Sequence, residues 1–149
     1  MVSKILVPLD GSKTAKRAAK YAVDLAKQLN ASITILNVID KRSFVAQTVP
    51  ASRTAMHTIE PIEDYLREVA EKYIGEILKL CDKNGVVSEM SIKKGHPVKE
   101  ILKAAKKYKA DLIVMGSHGI SALSATVLGS VSYGVIHNGK NIHVLIIRG

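Results

Sequence analysis

Residues 111–131, Asp-Leu-Ile-Val-Met-Gly-Ser-His-Gly-Ile-Ser-Ala-Leu-Ser-Ala-Thr-Val-Leu-Gly-Ser-Val, decide how this chain folds. Asp111 to Met115 is a short, mostly apolar run bounded by polar residues and glycines, the pattern of a strand buried on both faces. The strand ends at Gly116 and a helix begins near Gly129. Gly116 lets the backbone turn away from the sheet, and Gly119 lets it approach a ligand without a Cβ. Gly129-Ser130 places free N–H groups at a helix start, where an anion is favoured. Together the glycines form a G-x-x-G-x9-G-[ST] pattern. This is not a Walker A loop, because no Lys follows Gly129 and the spacing differs. Nor is it the dinucleotide G-x-G-x-x-G, which belongs after a first strand. Taken alone, the segment also reads as a glycine-rich connection with no ligand.

Strands and helices alternate along the whole chain. The first strand is read over Val2 to Leu9, followed by a helix from an N-cap at Ser12 to about Leu29. Its apolar positions Ala15, Ala18, Ala19, Ala22, Leu25, Ala26 and Leu29 keep the i, i+3, i+4, i+7 spacing, with lysines elsewhere on the wheel. The second strand is Ser32 to Ile39. A second helix is expected to open near Pro61, which suits a first-turn position, and to run to about Asn84 with Ile62, Leu66, Val69, Tyr73, Ile77 and Leu80 inward. Val86 to Lys94 reads as the third strand, and Pro97 starts a third helix burying Val98, Ile101, Leu102 and Ala105. A fourth helix is read over about Thr126 to His137 and a last strand over Ile142 to Arg148.

Strands separated by helices imply a parallel sheet with right-handed crossovers and helices on both faces. In such sheets ligands bind at the carboxyl ends of the strands, where the strand order reverses. If the order is 3-2-1-4-5, the switch point lies between strands one and four. Pro8-Leu9-Asp10-Gly11-Ser12 and Gly116-Ser117-His118-Gly119 would then line one crevice.

Composition narrows the class. With 149 residues, 47% of them hydrophobic, residues 1–149 read as one domain with its own core. The net charge of +9 could mean an anionic partner. Cys81 is the sole cysteine, which excludes an internal disulfide framework, and it reads as a core residue. The start, Met-Val-Ser-Lys-Ile-Leu-Val-Pro-Leu-Asp, lacks signal-peptide architecture, and no apolar run approaches the roughly 18 residues of a membrane helix. A cytoplasmic protein is expected. His57, His96, His137 and His143 are scattered, so no metal cluster is expected, and His118 reads as a loop side chain rather than a catalytic base. Tyr65 and Tyr73 read as core or subunit-contact residues.

Val7-Pro8-Leu9-Asp10-Gly11-Ser12, Asn37-Val38-Ile39-Asp40, Gly95-His96-Pro97, and Ala110-Asp111-Leu112-Ile113-Val114-Met115-Gly116-Ser117-His118-Gly119 through to Gly129-Ser130-Val131 stand in order along the chain. Together these segments resemble the universal stress protein family. The likeness spans essentially the whole chain, and the glycine pattern resembles that of the family's ATP-binding branch. It implies a Rossmann-like α/β fold, a single doubly wound five-stranded parallel sheet of order 3-2-1-4-5. It also implies ATP as ligand. Asp10 would accept hydrogen bonds from the ribose, and the Val38 backbone would pair with the adenine edge between apolar walls from Pro8, Val7 and Met115. Gly116 and Gly119 would pass close to the ribose and phosphates, and Gly129, Ser130 and Val131 would offer N–H groups to the phosphates. Mg²⁺ or Mn²⁺ would be held mainly by phosphates and water.

Residues 120–128 contain no Lys or Arg, whereas related loops often carry a basic residue. Charge neutralisation is therefore sought in the long connection after the second strand, as a lid bearing Lys41, Arg42, Arg53 and His57. Val144 to Ile147 would form an apolar edge that invites pairing, so a homodimer through the last strand is expected, as the resemblance also implies. The functional reading is a nucleotide-dependent regulatory module in stress response that acts through an unknown protein partner. A slow ATPase or phosphotransferase and a dimeric interaction protein without nucleotide are the alternatives. No water-activating carboxylate or arginine finger is visible in the motif, so at most slow ATP hydrolysis is expected. Nucleic acid is not the expected partner, because the lysines of the first and third helices would fall on opposite faces of the sheet.

Overall fold

The structure, a computed structural model, describes residues 1–40, 55–119 and 128–149, with the helical backbone alone for 55–61. Lys4–Pro8 (β1), Ser32–Ile39 (β2), Ser88–Lys94 (β3), Leu112–Gly116 (β4) and His143–Ile147 (β5) form a five-stranded sheet. The helices between them are Lys13–Leu29 (α1), Ala55–Lys83 (α2), Pro97–Tyr108 (α3) and Ser130–Asn138 (α4). The strand order is β3-β2-β1-β4-β5 and every neighbouring pair is parallel. Among the described residues, no helix is long and apolar enough to cross a membrane.

Alternation along each strand sends side chains to two cores. Ile5, Val7, Ile33, Ile35 and Val114 pack under α1 and α2, while Leu6, Leu36, Ile113 and Met115 pack under α3 and α4. This explains why Asp111 to Met115 reads as a mostly apolar run. Leu6, Leu36 and Ile113 are fully buried, a transfer worth about 1.5–3 kcal/mol for each side chain. The lysine-bearing helices α1 and α3 do lie on opposite faces.

Local chemistry sets the helix ends. Ser12 caps α1, its Oγ accepting from the Ala15 N–H at 3.1 Å, and Asn30 closes the helix in the left-handed region at φ 53°. The face of α1 on the sheet is Ala15, Ala18, Ala19, Ala22, Val23 and Ala26, small residues that bring the helix close. Leu29, expected inward, is 41% exposed at the helix end. Pro97 opens α3, whose buried positions are Ile101, Ala104 and Ala105, with Val98 and Leu102 partly buried against them.

Other boundaries differ from expectation. The strands β1, β3 and β5 are shorter than read, because their outer residues continue as loop. The helix α2 begins at Ala55, so Pro61 lies inside it and not in its first turn; Ala, Met and Glu upstream favour helix strongly enough to absorb one lost backbone bond. The buried stripe of α2 is Ala70, Ile74, Ile77 and Cys81, turned about one position from the expected stripe. Tyr65 is 62% exposed and is not core. The helix α4 starts at Ser130, with Gly129 as an extended N-cap at φ −66° and ψ 160°, so Leu128 and Gly129 precede the helix.

Candidate functional site

The two central strands separate early. Pairing between β1 and β4 ends at Leu6↔Ile113, while β4 runs on with β5 to Gly116↔Ile147. Beyond β1 the chain turns to α1 on one face, and beyond β4 it leads to α4 on the other. The crevice between them is a cavity of about 640 Å³, a size suited to a small-molecule ligand. Pro8, Asp10, Val38, Met115, Gly116, Gly119, Gly129, Ser130 and Val131 all line it. Val7 does not; it is fully buried under α1 and α2 on the opposite face of β1. Lys41, Arg42 and Arg53 lie outside the described residues, as does the side chain of His57, whose backbone sits in the first turn of α2.

The carboxylate of Asp10 is held by its own loop. Its Oδ1 accepts the Ser12 N–H at 2.9 Å, and the tight turn requires Gly11 at φ +86°. Ser12 caps the helix, so the second carboxylate oxygen faces the β4 loop, where a β-carbon on Gly119 would stand 2.7 Å from Oδ2.

One strand outruns its neighbour. The last pair of β1 with β2 is Pro8↔Leu36, followed by Leu9 N–H to Leu36 carbonyl at 2.8 Å. β2 continues to Ile39, paired only with β3 on its other side. Backbone groups along a strand face alternate sides, and Leu36 faces β1. The N–H and carbonyl of Val38 therefore face the crevice beyond the end of β1.

The β4 loop is pinned from several directions. Gly116 lies against the start of α1, where a Cβ would come 3.0 Å from the Thr14 carbonyl carbon. The Ser132 hydroxyl donates to the Gly116 carbonyl at 2.8 Å, and Thr14 Oγ1 donates to the His118 carbonyl at 2.7 Å. The Gly129 N–H donates to the Ser117 carbonyl at 2.7 Å, so it is committed within the loop. The first turn of α4 thus presents the N–H groups of Ser130, Val131 and Ser132, which have no intrahelical acceptor. Ser130 is the first helical residue and not the cap.

Sequence reasoning missed or set aside several lining residues. Leu66, Val69 and Tyr73 face the cavity from α2, which is why the apolar stripe looked broader than its buried part. Asn37 is buried, and its Nδ2 donates to the Leu9 carbonyl at 2.9 Å and to the Tyr73 hydroxyl at 2.7 Å. The Tyr73 phenol is pushed up to about 12, chiefly by burial and also by the negative charge of Asp10, against the opposing hydrogen bond from Asn37. His118 is the one basic side chain among the described lining residues, with Nδ1 2.9 Å from Ser117 Oγ. Helical spacing placed Tyr73 on an inward stripe and Asn37 stood beside Val38, but no local pattern showed that the two meet, since their partners are distant in sequence.

An apolar wall, an exposed strand edge, a fixed carboxylate and a helix N-terminus share one cavity. It can hold a flat ring system, hydroxyls and an anionic end in that order.

Known proteins share this fold. The family model described as Universal stress protein family matches residues 1–148. Universal stress protein YxiE of Bacillus subtilis is 36% identical over 153 residues, covering 99% of this chain and 100% of that protein. A solved structure of MJ0577, from Methanocaldococcus jannaschii, matches with a TM-score of 0.84 at 31% identity, covering 100% of this chain and 97% of that one. A universal stress protein solved in complex with cAMP matches with a TM-score of 0.67 at 26% identity, over 99% of this chain and 97% of that one. On the span and the level of identity together, this chain belongs to the universal stress protein family.

Proposed function

We propose that this chain is an ATP-binding universal stress protein, a regulatory module whose nucleotide occupancy is read by a partner. The observation that carries the reading is the shared cavity of Asp10, the free edge of Val38 and the first turn of α4. Adenine would lie between Pro8 and Met115 with its edge on the Val38 backbone. The ribose would reach Asp10, and the phosphates would meet the N–H groups of Ser130 and Val131 and the Ser130 hydroxyl, where the helix dipole favours negative charge. The relative solved with cAMP supports an adenine nucleotide as the ligand class.

A Mg²⁺ or Mn²⁺ ion would come with the triphosphate, held by phosphate oxygens and water. Among the described residues no group of three or more His, Cys, Asp and Glu side chains could hold a metal. The dimer belongs to the same reading. β5 is an outer strand, and its Ile147 carbonyl accepts from Ser117 on the β4 side, so Val144 and Ile146 turn their backbone groups to the open edge. Antiparallel pairing with a second β5 would satisfy them, and sedimentation equilibrium should return the mass of two chains.

Calorimetric titration of Mg-ATP into nucleotide-stripped protein tests the assignment. Micromolar affinity, about −8 kcal/mol, is expected. Absence of heat at several temperatures would leave the glycine segment as a structural turn.

A further inference from the structure

The ring of Tyr73 closes over the Asp10 turn: a β-carbon on Gly11 would lie 3.0 Å from Tyr73 Cε1. Its hydroxyl meets Asn37 Nδ2 at 2.7 Å, and the same nitrogen donates to the Leu9 carbonyl at 2.9 Å. A carbonyl only accepts, which fixes the orientation of the buried amide and makes Tyr73 the acceptor of its second hydrogen. The phenolic proton must therefore point elsewhere. Tyr73 and Asp10 line the same cavity. An ionised carboxylate accepts only, so one cavity wall carries both a proton donor and a proton acceptor, near enough for the Asp10 charge to act on the phenol. That pair complements a vicinal diol, one hydroxyl donating to Asp10 while its neighbour accepts from Tyr73.

We propose that Tyr73, oriented by Asn37, is a specificity residue that donates to one hydroxyl of the ligand's ribose diol while Asp10 accepts from the other, so that the cavity selects ribonucleotides over deoxyribonucleotides. The proposal rests on the nucleotide reading above and adds the sugar it requires. Burial keeps the phenol protonated, with its pKa pushed up to about 12, so it remains a donor throughout the neutral range. A site that hydrogen-bonds a substrate hydroxyl discriminates against the analogue lacking it, because its buried polar groups are left unpaired.

The test titrates ATP and its 2′-deoxy and 3′-deoxy analogues into the full chain and into Tyr73→Phe, which keeps the ring against Gly11, with thermal midpoints recorded for both. Wild type should bind each deoxy analogue more weakly than ATP. Tyr73→Phe should weaken ATP about three- to tenfold, the worth of one neutral hydrogen bond. It should leave unchanged the affinity for whichever analogue lacks the hydroxyl that Tyr73 contacts. Equal loss for all three ligands would make Tyr73 a brace for the Asp10 turn and overturn the proposal, as would unchanged ATP affinity. Wild type that binds ATP and both analogues equally would overturn the diol assignment while leaving nucleotide binding intact. Wild type that binds none of them would overturn the nucleotide reading and this proposal with it.

Discussion

Gly119 and Asp10 approach so closely that a β-carbon at position 119 would stand 2.7 Å from Asp10 Oδ2. The loop after β4 thus confines the carboxylate supplied by the loop after β1, and neither loop could set that position alone. The contact is with the end of a side chain, which can swing away, and Gly119 itself holds no left-handed φ. Gly119→Ala should therefore fold with a thermal midpoint close to wild type but displace the carboxylate. Calorimetry should show Mg-ATP affinity lowered about tenfold, the scale of one hydrogen bond to a charged group.

Gly116 makes the opposite kind of contact. A Cβ there would lie 3.0 Å from the Thr14 carbonyl carbon and 3.1 Å from the Ala15 nitrogen, backbone atoms at the start of α1 that cannot give way cheaply. Gly116→Ala should lower stability by about 1–3 kcal/mol, the usual cost of overpacking, as a lower urea midpoint with an unchanged slope.

Ser12 separates stability from ligand binding. Its hydroxyl caps α1, whereas its backbone N–H holds Asp10. Ser12→Ala removes the first and keeps the second. Urea unfolding should show a loss of about 1 kcal/mol, while nucleotide affinity should stay within twofold or so of wild type.

Asp111 ties the amino end of β1 to β4. Its Oδ2 accepts from the Ser3 N–H at 2.8 Å, the Lys4 N–H at 2.9 Å and the Ser3 hydroxyl at 2.9 Å, and the two backbone bonds lead in holding its carboxyl below the ordinary value of 3.8. A carboxyl depressed in the folded state contributes stability above its unfolded pKa and loses it as pH falls through the folded one. Wild type should therefore lose this contribution below about pH 4, the unfolded aspartate value. Asp111→Asn should be less stable at neutral pH, and its difference from wild type should shrink in acid. A difference that is constant from neutral to strongly acid pH would contradict the assignment.

What the sequence revealed followed the range of each interaction. Ser32 to Ile39 and the Ser12 cap were legible to the residue, because a buried strand and an N-cap are dictated by neighbours in sequence. The start of α2 was not, because Pro61 is a strong local signal and yet the preceding turn forms regardless. Periodicity found an apolar stripe on α2 but could not tell the half that meets the sheet from Leu66, Val69 and Tyr73, which meet the cavity. The glycine pattern placed the loop, but the Gly129 amide proved to be spent on Ser117, a contact that closes only in three dimensions. The pairing of Asn37 with Tyr73 was silent for the same reason, since it joins two elements.

In the proposed complex a nucleotide lies between the ends of β1 and β4 with its phosphates on the first turn of α4. Amide chemical-shift mapping during a Mg-ATP titration tests it most directly. Saturable shifts should be largest at Val38, Gly119, Ser130 and Val131, with Asn30 and Gly85 at the opposite end of the sheet unmoved. No saturable shift, or shifts confined to that opposite end, would contradict it.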